Sequence, residues 1–296
     1  MSREAAVTEE LTTRFPANAE QAEYWNATAG AQWVAHQGEL DERFRLVTDR
    51  LIACAAVAAG ERAVDVGCGT GATTLALAEQ VGADGRVLAL DISEPMLALA
   101  RRRCAERGHG NVSFVHADAQ THGFDHAAHD LLVSRLGVMF FADPVAAFAN
   151  LESALRPGGR IAFACWASLE RNPWFALPLA VGARRLGPPE PQPPRTPGPL
   201  ALAETDYIAE ILSAAGFGAL AIDSATVEIP GAASAAAEAE FACLVGPLAR
   251  LIRTREPDAA TRDAMAAEIA AQFRPYETAT GVRIPATLHF VTAARP

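Results

Sequence analysis

Cysteine is scarce and scattered in this 296-residue chain: Cys54, Cys68, Cys104, Cys165 and Cys243 form no C-x-x-C pair and follow no metal-ligand spacing. A disulfide framework and a metal centre are both excluded as expectations, and a reducing cytoplasm fits best. The opening Met1-Ser-Arg-Glu lacks the basic-then-apolar pattern of a signal peptide. No uninterrupted apolar run reaches the ~20 residues that cross a bilayer, so no membrane span is expected. Positive charge is in deficit, with 25 Lys and Arg against 35 Asp and Glu and a formal charge of −10. Binding to nucleic acid or an anionic membrane needs clustered cations to neutralise phosphates, so neither is an expected partner. The one basic run, Arg101, Arg102 and Arg103 with Arg107, reads as the solvated face of a helix.

What is present describes a folded protein with a sizeable core: 50% hydrophobic residues, 20% charged and a mean hydropathy of +0.10. No internal repeat is evident. From about residue 60, short β-branched runs alternate with alanine- and leucine-rich stretches of helical pattern. Strands are expected at 63–66, 86–90, 112–116, 131–134 and 160–165, each almost continuously apolar as in a sheet covered on both faces. Helices are expected at 71–81 and 94–107, the latter with Ser93 as N-cap and Pro95 in its first turn. A further helix opens at Asp143-Pro144 and ends in the turn Arg156-Pro-Gly-Gly159. The fold class is therefore α/β, a Rossmann-like, doubly wound, mainly parallel sheet with helices on both faces and a helical cap. The expected segments are an N-terminal helical lid (1–58), a core (59–166), a cap insertion (167–205), a core helix and strand (206–230), a helical cap insertion (231–282) and a final core strand (283–296). The proline-rich stretch 187–199 reads as an extended crossing over the surface.

The most specific signal is Val64-Asp-Val-Gly-Cys-Gly-Thr-Gly71, a strand that ends in alternate glycines and runs into a helix. Such glycines let backbone approach a ligand, and the helix start offers unpaired N–H groups. The rival reading is a dinucleotide site of G-x-G-x-x-G form. Gly67, Gly69 and Gly71 follow G-x-G-x-G instead, and Asp65 would repel a pyrophosphate while attracting an ammonium and a sulfonium. Asp91, ending the second strand, is placed to accept both hydroxyls of a ribose. Asp118, just past the third, can take the exocyclic amine of an adenine. Acids at the carboxyl ends of three successive parallel strands lie along one sheet edge.

With the D-x-G-x-G-x-G loop (Asp65 to Gly71), Asp91, Asp118-Ala119 and the turn Leu155-Arg-Pro-Gly-Gly-Arg160, the chain resembles the class I S-adenosylmethionine-dependent methyltransferases over residues 60–166. Within them it is most similar to the branch that includes the ubiquinone and menaquinone C-methyltransferases. The resemblance implies S-adenosyl-L-methionine as cofactor, contacted by Thr70, Asp91, Asp118, Ala119 and Ser134. Asp65, Gly67, Cys68, Gly69, Gly71, Ile92, Met96 beneath the adenine and Trp33 from the lid complete the expected set. That quinone branch carries Phe-Gly-(Leu/Met)-Arg-Asn after strand four. This chain reads Arg135-Leu-Gly-Val-Met-Phe-Phe141, which points away from quinone-ring methylation.

Methyl transfer from a sulfonium is an in-line displacement in which the cofactor supplies the electrophile and the protein aligns the nucleophile. An acceptor that must lose a proton needs a base, and no catalytic residue can be named from the sequence. His36 in the lid is one candidate base. His122, His126 and His129, with Asp125 and Asp130, fit no zinc pattern. Tyr24, Trp25 and Trp33 are expected to lie across the cofactor pocket. Arg135, Met139, Phe140, Trp166, Asn172 and Trp174 follow strands four and five and should face the acceptor, a set suited to a hydrophobic or aromatic small molecule. The expected function is methyl transfer to O, N or C of such a metabolite, with a homodimer left open. The alternatives are an RNA or protein methyltransferase and a non-methylating protein that binds the cofactor.

Overall fold

A computed structural model describes residues 10–296, so the signal-peptide reading of residues 1–4 lies outside the described residues. The sheet comprises β1 (Arg62–Val66), β2 (Arg86–Asp91), β3 (Val112–His116), β4 (His129–Arg135), β5 (Leu155–Trp166), β6 (Gly218–Pro230), β7 (Glu277–Thr278) and β8 (Gly281–Ala294). The order is β3-β2-β1-β4-β5-β8-β6, with β7 paired to β8 off this path. The first five strands run parallel, and β8 enters antiparallel between β5 and β6. Sequence pattern explains the difference between centre and edge. β1 and β4 are almost wholly buried because helices cover both faces, whereas β6 leaves most of its residues partly or fully exposed.

The crossover helices are Ala72–Val81, Glu94–Glu106 and Pro144–Ala154. The last begins as its sequence predicts, the Asp143 carboxylate accepting from the Ala146 N–H at 3.0 Å. Ser93 departs from expectation. It occupies the N-cap position of Glu94–Glu106 but caps nothing, because its hydroxyl donates to the Trp25 carbonyl. The Glu94 N–H is taken instead by the Asn26 side chain at 3.0 Å. Arg156 to Gly159 also differ from a simple helix-ending turn: they form a bulge within β5, between Leu155 opposite His129 and Arg160 opposite Leu131.

The strand order reverses between β1 and β4, leaving a crevice at the carboxyl edge where ligands bind in such sheets. Three groups of helices surround it. Four N-terminal helices run from Ala19 to Ala55, the last (Arg45–Ala55) burying Val47, Leu51 and Ala55 at four-residue spacing. Pro173–Leu186 follows β5, and Ala235–Ala242, Pro247–Arg255 and Ala259–Phe273 precede β8. All three groups meet at one buried ion pair. The Arg43 guanidinium, 1% exposed, donates to both oxygens of Glu238, 0% exposed, at 2.6 and 3.0 Å. Glu238 also accepts the Trp174 indole N–H at 2.8 Å and the Ala232 N–H at 2.6 Å. Arg43 lies over the Phe241 ring at 4.3 Å. A charge so far from water persists only with its partners in place. The pair therefore fastens the N-terminal helices to the helix after β5 and to those before β8.

Candidate active site

The crevice is a cavity of about 950 Å³, near the upper end of the range for small-molecule sites. Gly67, Cys68, Gly69 and Thr70 after β1 line it, as do Asp91 and Ile92 at the end of β2, Met96 on the following helix, and Asp118 and Ala119 past β3. Gly67 and Gly69 have φ of +68° and +54°, so each position favours glycine. A Cβ at Gly69 would meet nothing within 4 Å, which leaves the loop open on that side, while one at Gly67 would touch Gly137 Cα at 3.0 Å. Asp91 holds the loop: its Oδ2 accepts from Gly69 N at 2.7 Å and its Oδ1 from Ser93 N at 2.8 Å. Burial pushes its carboxyl up to about 6, against the lowering effect of those bonds. Asp118 accepts from Gln120 N at 2.9 Å and from Asn18 at 2.8 Å. Each carboxylate retains acceptor capacity on the cavity side.

A second wall is apolar. Trp33, Phe44, Met139, Phe140, Trp166, Trp174 and Phe175 line it, with Arg135 among them. Trp25 packs edge-on against Phe140 at 5.2 Å and Trp33 at 6.1 Å. All four tryptophans of the chain border this cavity. Tyr24, also in the wall, accepts a hydrogen bond from Arg253 at 3.2 Å.

Four expected contacts fall outside the wall. Asp65 lies fully buried beneath the loop, accepting from the Thr74 hydroxyl at 2.6 Å while its other oxygen has no hydrogen-bond partner among the described residues. Gly71, φ +91°, faces Ala100, where a Cβ would sit 2.9 Å from the Ala100 Cβ. The Ser134 hydroxyl donates to the Val66 carbonyl at 2.7 Å and so stitches β4 to β1. Asn172 is an internal brace rather than an acceptor contact: its amide donates to the Ala167, Ser168 and Thr287 carbonyls and accepts from Thr287 N at 2.9 Å. Candidate base His36 also lies outside the wall, near Glu39 at 3.7 Å and edge-on to Phe241. Of the other histidines, His122 packs against Phe124, and His129 opens β4 at the sheet's opposite end.

Other residues in the site carried no sequence signal. Asn18 bridges Asp118, Gln120 and the Ala142 N–H through one amide, a long-range pattern that no local spacing marks. Arg103 corrects the reading of the arginine run: only 12% exposed, it donates to the Thr70 carbonyl and to Asp41, tying the glycine loop to the N-terminal helices. The proline-rich stretch, expected to cross the surface, supplies Pro189, Pro193 and Pro197 to the cavity wall and is held by Gly198 N donating to the Met139 carbonyl at 3.0 Å.

Asp65 gives a pH prediction. Burial pushes its carboxyl from 3.8 up to about 7, so the folded state holds a proton that the unfolded chain releases near pH 4. Between those values the native state binds more protons, and this group's contribution to stability falls as pH rises. Asp65→Asn is expected to remove that part of the slope in melting temperature between pH 4 and 7. An unchanged slope would refute it.

The donor set suits a nucleoside with a sulfonium and an amino-acid tail. Asp91 and Asp118 both line the cavity along the carboxyl edge of the sheet, beside an open glycine loop. Residues 63–159 match the family model of a methyltransferase domain. Aklanonic acid methyltransferase DauC of Streptomyces sp. (strain C5) is 40% identical over 41% of this chain and 56% of its own length. A demethylmenaquinone methyltransferase of Shouchella clausii is 39% identical over 36% of this chain and 45% of its own. The chain thus spans about half the length of the curated relatives it matches. A putative methyltransferase from Bacillus halodurans C-125 shares the fold, with a TM-score of 0.55 at 19% identity, over 84% of this chain and 98% of that one. Residues 63–159 of this chain are thus a methyltransferase domain, on a fold shared with solved methyltransferases.

Proposed function

We propose that the chain transfers a methyl group from S-adenosylmethionine to an O, N or C nucleophile on a hydrophobic small molecule. The observation that carries this reading is the two-sided cavity: Asp91, Asp118 and the glycine loop on one wall, and an aromatic wall built by the lid and both insertions on the other. The bound cofactor supplies an electrophilic methyl on a positively charged sulfur. Asp91 and Asp118 bind its ribose and adenine ends, and Gly67, Gly69 and Thr70 fit its tail against the loop. Trp33, Phe44, Trp166 and Trp174 exclude water and orient the acceptor, which lowers the entropic cost of an in-line approach. The −10 charge and the aromatic wall disfavour a macromolecular acceptor, and the lid expected at 1–58, of which residues 10–58 are described, with the caps 167–205 and 231–282, selects the substrate.

Incubation with S-adenosylmethionine labelled in its methyl group and a panel of lipophilic phenols, acids and amines tests this. Label should pass into an organic-soluble product, with S-adenosylhomocysteine released in equal amount. Tight cofactor binding with no transfer to any small acceptor, but transfer to RNA or protein, would overturn it.

A further inference from the structure

Arg135 is an anomaly in the aromatic wall. It ends β4, which runs beside β1 with Val133 opposite Asp65, so Arg135 comes level with Gly67 where the two halves of the cavity meet. Among the described residues its guanidinium makes one hydrogen bond, to the Thr48 hydroxyl at 2.9 Å, and it lies 5.8 Å from the Phe44 ring centroid. Among the described residues no carboxylate comes within 4.0 Å of it, though the charges of Asp41 and Asp65 favour its protonated form. Asp41 gives its Oδ2 to Arg103 and Gln37, and Asp65 its Oδ2 to Thr74; the Oδ1 of each has no hydrogen-bond partner among the described residues, Arg135 included. A guanidinium has five N–H donors in a planar fork matched to paired oxygens. Here one donor is used, inside a wall of Trp33, Phe44, Trp166 and Trp174. Removing a cation from water costs several kcal/mol unless an anion meets it.

Resting on the methyltransferase reading, we propose that Arg135 anchors an anionic oxygen group of the acceptor, so that the substrate class is an aromatic acid: an aromatic body carrying a carboxylate or an ionised phenol. The aromatic faces take the body and the free N–H fork takes the oxygens. The rival occupant of the fork is the carboxylate on the cofactor's tail, and cofactor affinity separates the two.

The cavity's four tryptophans provide a fluorescence readout. Wild type, Arg135→Gln and Arg135→Lys are titrated with 1-hydroxy-2-naphthoic acid and with its neutral carboxamide, each with and without saturating S-adenosylhomocysteine. For wild type, the acid should bind roughly 10- to 100-fold tighter than the amide, the range for a charge-assisted hydrogen bond to a desolvated partner. Arg135→Gln should abolish that preference, chiefly by weakening the acid, and Arg135→Lys should restore part of it. Equal binding of acid and amide by wild type overturns the proposal, whether or not the variants fold. Persistence of the acid preference in Arg135→Gln overturns it as well. A fall in S-adenosylhomocysteine affinity in Arg135→Gln that matches the fall for the acid would assign the fork to the cofactor. Failure of wild type to bind S-adenosylhomocysteine while it still prefers the acid would count against the methyltransferase reading and leave Arg135 as an anion anchor.

Discussion

Glu238→Ala is expected to lower stability by about 3–5 kcal/mol, because it takes from the buried Arg43 guanidinium its buried partner and leaves it only Glu39, 39% exposed, at 2.9 Å. At roughly 2–4 °C per kcal/mol for a domain of this order of size, the melting temperature should drop by roughly 6–20 °C. The Trp174 indole and the Ala232 N–H lose their acceptor in the same variant, so damage should spread to both insertions. Replacing both charges, Arg43→Met with Glu238→Leu, should recover the part of the loss that comes from the stranded charge, but not the part from the two N–H groups left without an acceptor. Thermal denaturation followed by circular dichroism reads both. A single-variant loss below about 1 kcal/mol would mean that the pair does not fasten the N-terminal helices to the helix after β5 and to those before β8. The same geometry makes Trp174 a poor probe of substrate contact alone, because its ring lines the cavity while its N–H supports the ion pair.

Asp91→Ala should weaken S-adenosylhomocysteine binding by roughly 10- to 100-fold, equivalent to about 1–3 kcal/mol. Two effects combine. The ribose loses its acceptor, and the N–H groups of Gly69 and Ser93 lose theirs, so the loop is no longer held in its binding conformation. Asp91→Asn, which keeps one acceptor oxygen, should lose less. Burial holds the free carboxyl near 6, and donation by ribose hydroxyls favours its ionised form. Protonation therefore competes with binding, and wild-type affinity should weaken as pH falls below about 6. Calorimetry that finds unchanged affinity in Asp91→Ala would remove Asp91 from the site.

The parallel core was legible because its signals are local. Continuous apolar runs locate β1 and β4, the Asp143-Pro144 pair starts its helix, and alternate glycines mark the tight approach after β1. Acids that end successive parallel strands fall on one edge by topology alone, so Asp91 and Asp118 could be placed together without knowing any distance. What escaped depends on side chains far apart in sequence. Asn18 reaches Asp118 across 100 positions, and Arg43 reaches Glu238 across 195. Asp65 and Ser134 show a different limit. Both stand at the sheet edge, but whether such a side chain faces the ligand or the interior is decided by neighbours such as Thr74 and the Val66 carbonyl. Asn172 was placed by position after β5, and its three carbonyl acceptors turn it inward.

Equilibrium titration of the purified chain with S-adenosylhomocysteine and, separately, with NAD and NADP tests the central claim most directly, because it asks which nucleoside the glycine loop and its acids were built to hold. The account predicts saturable one-to-one binding of S-adenosylhomocysteine in the micromolar range or tighter, about −8 kcal/mol or better, and no measurable heat with either dinucleotide. Micromolar binding of NAD or NADP, or none of S-adenosylhomocysteine, would contradict it.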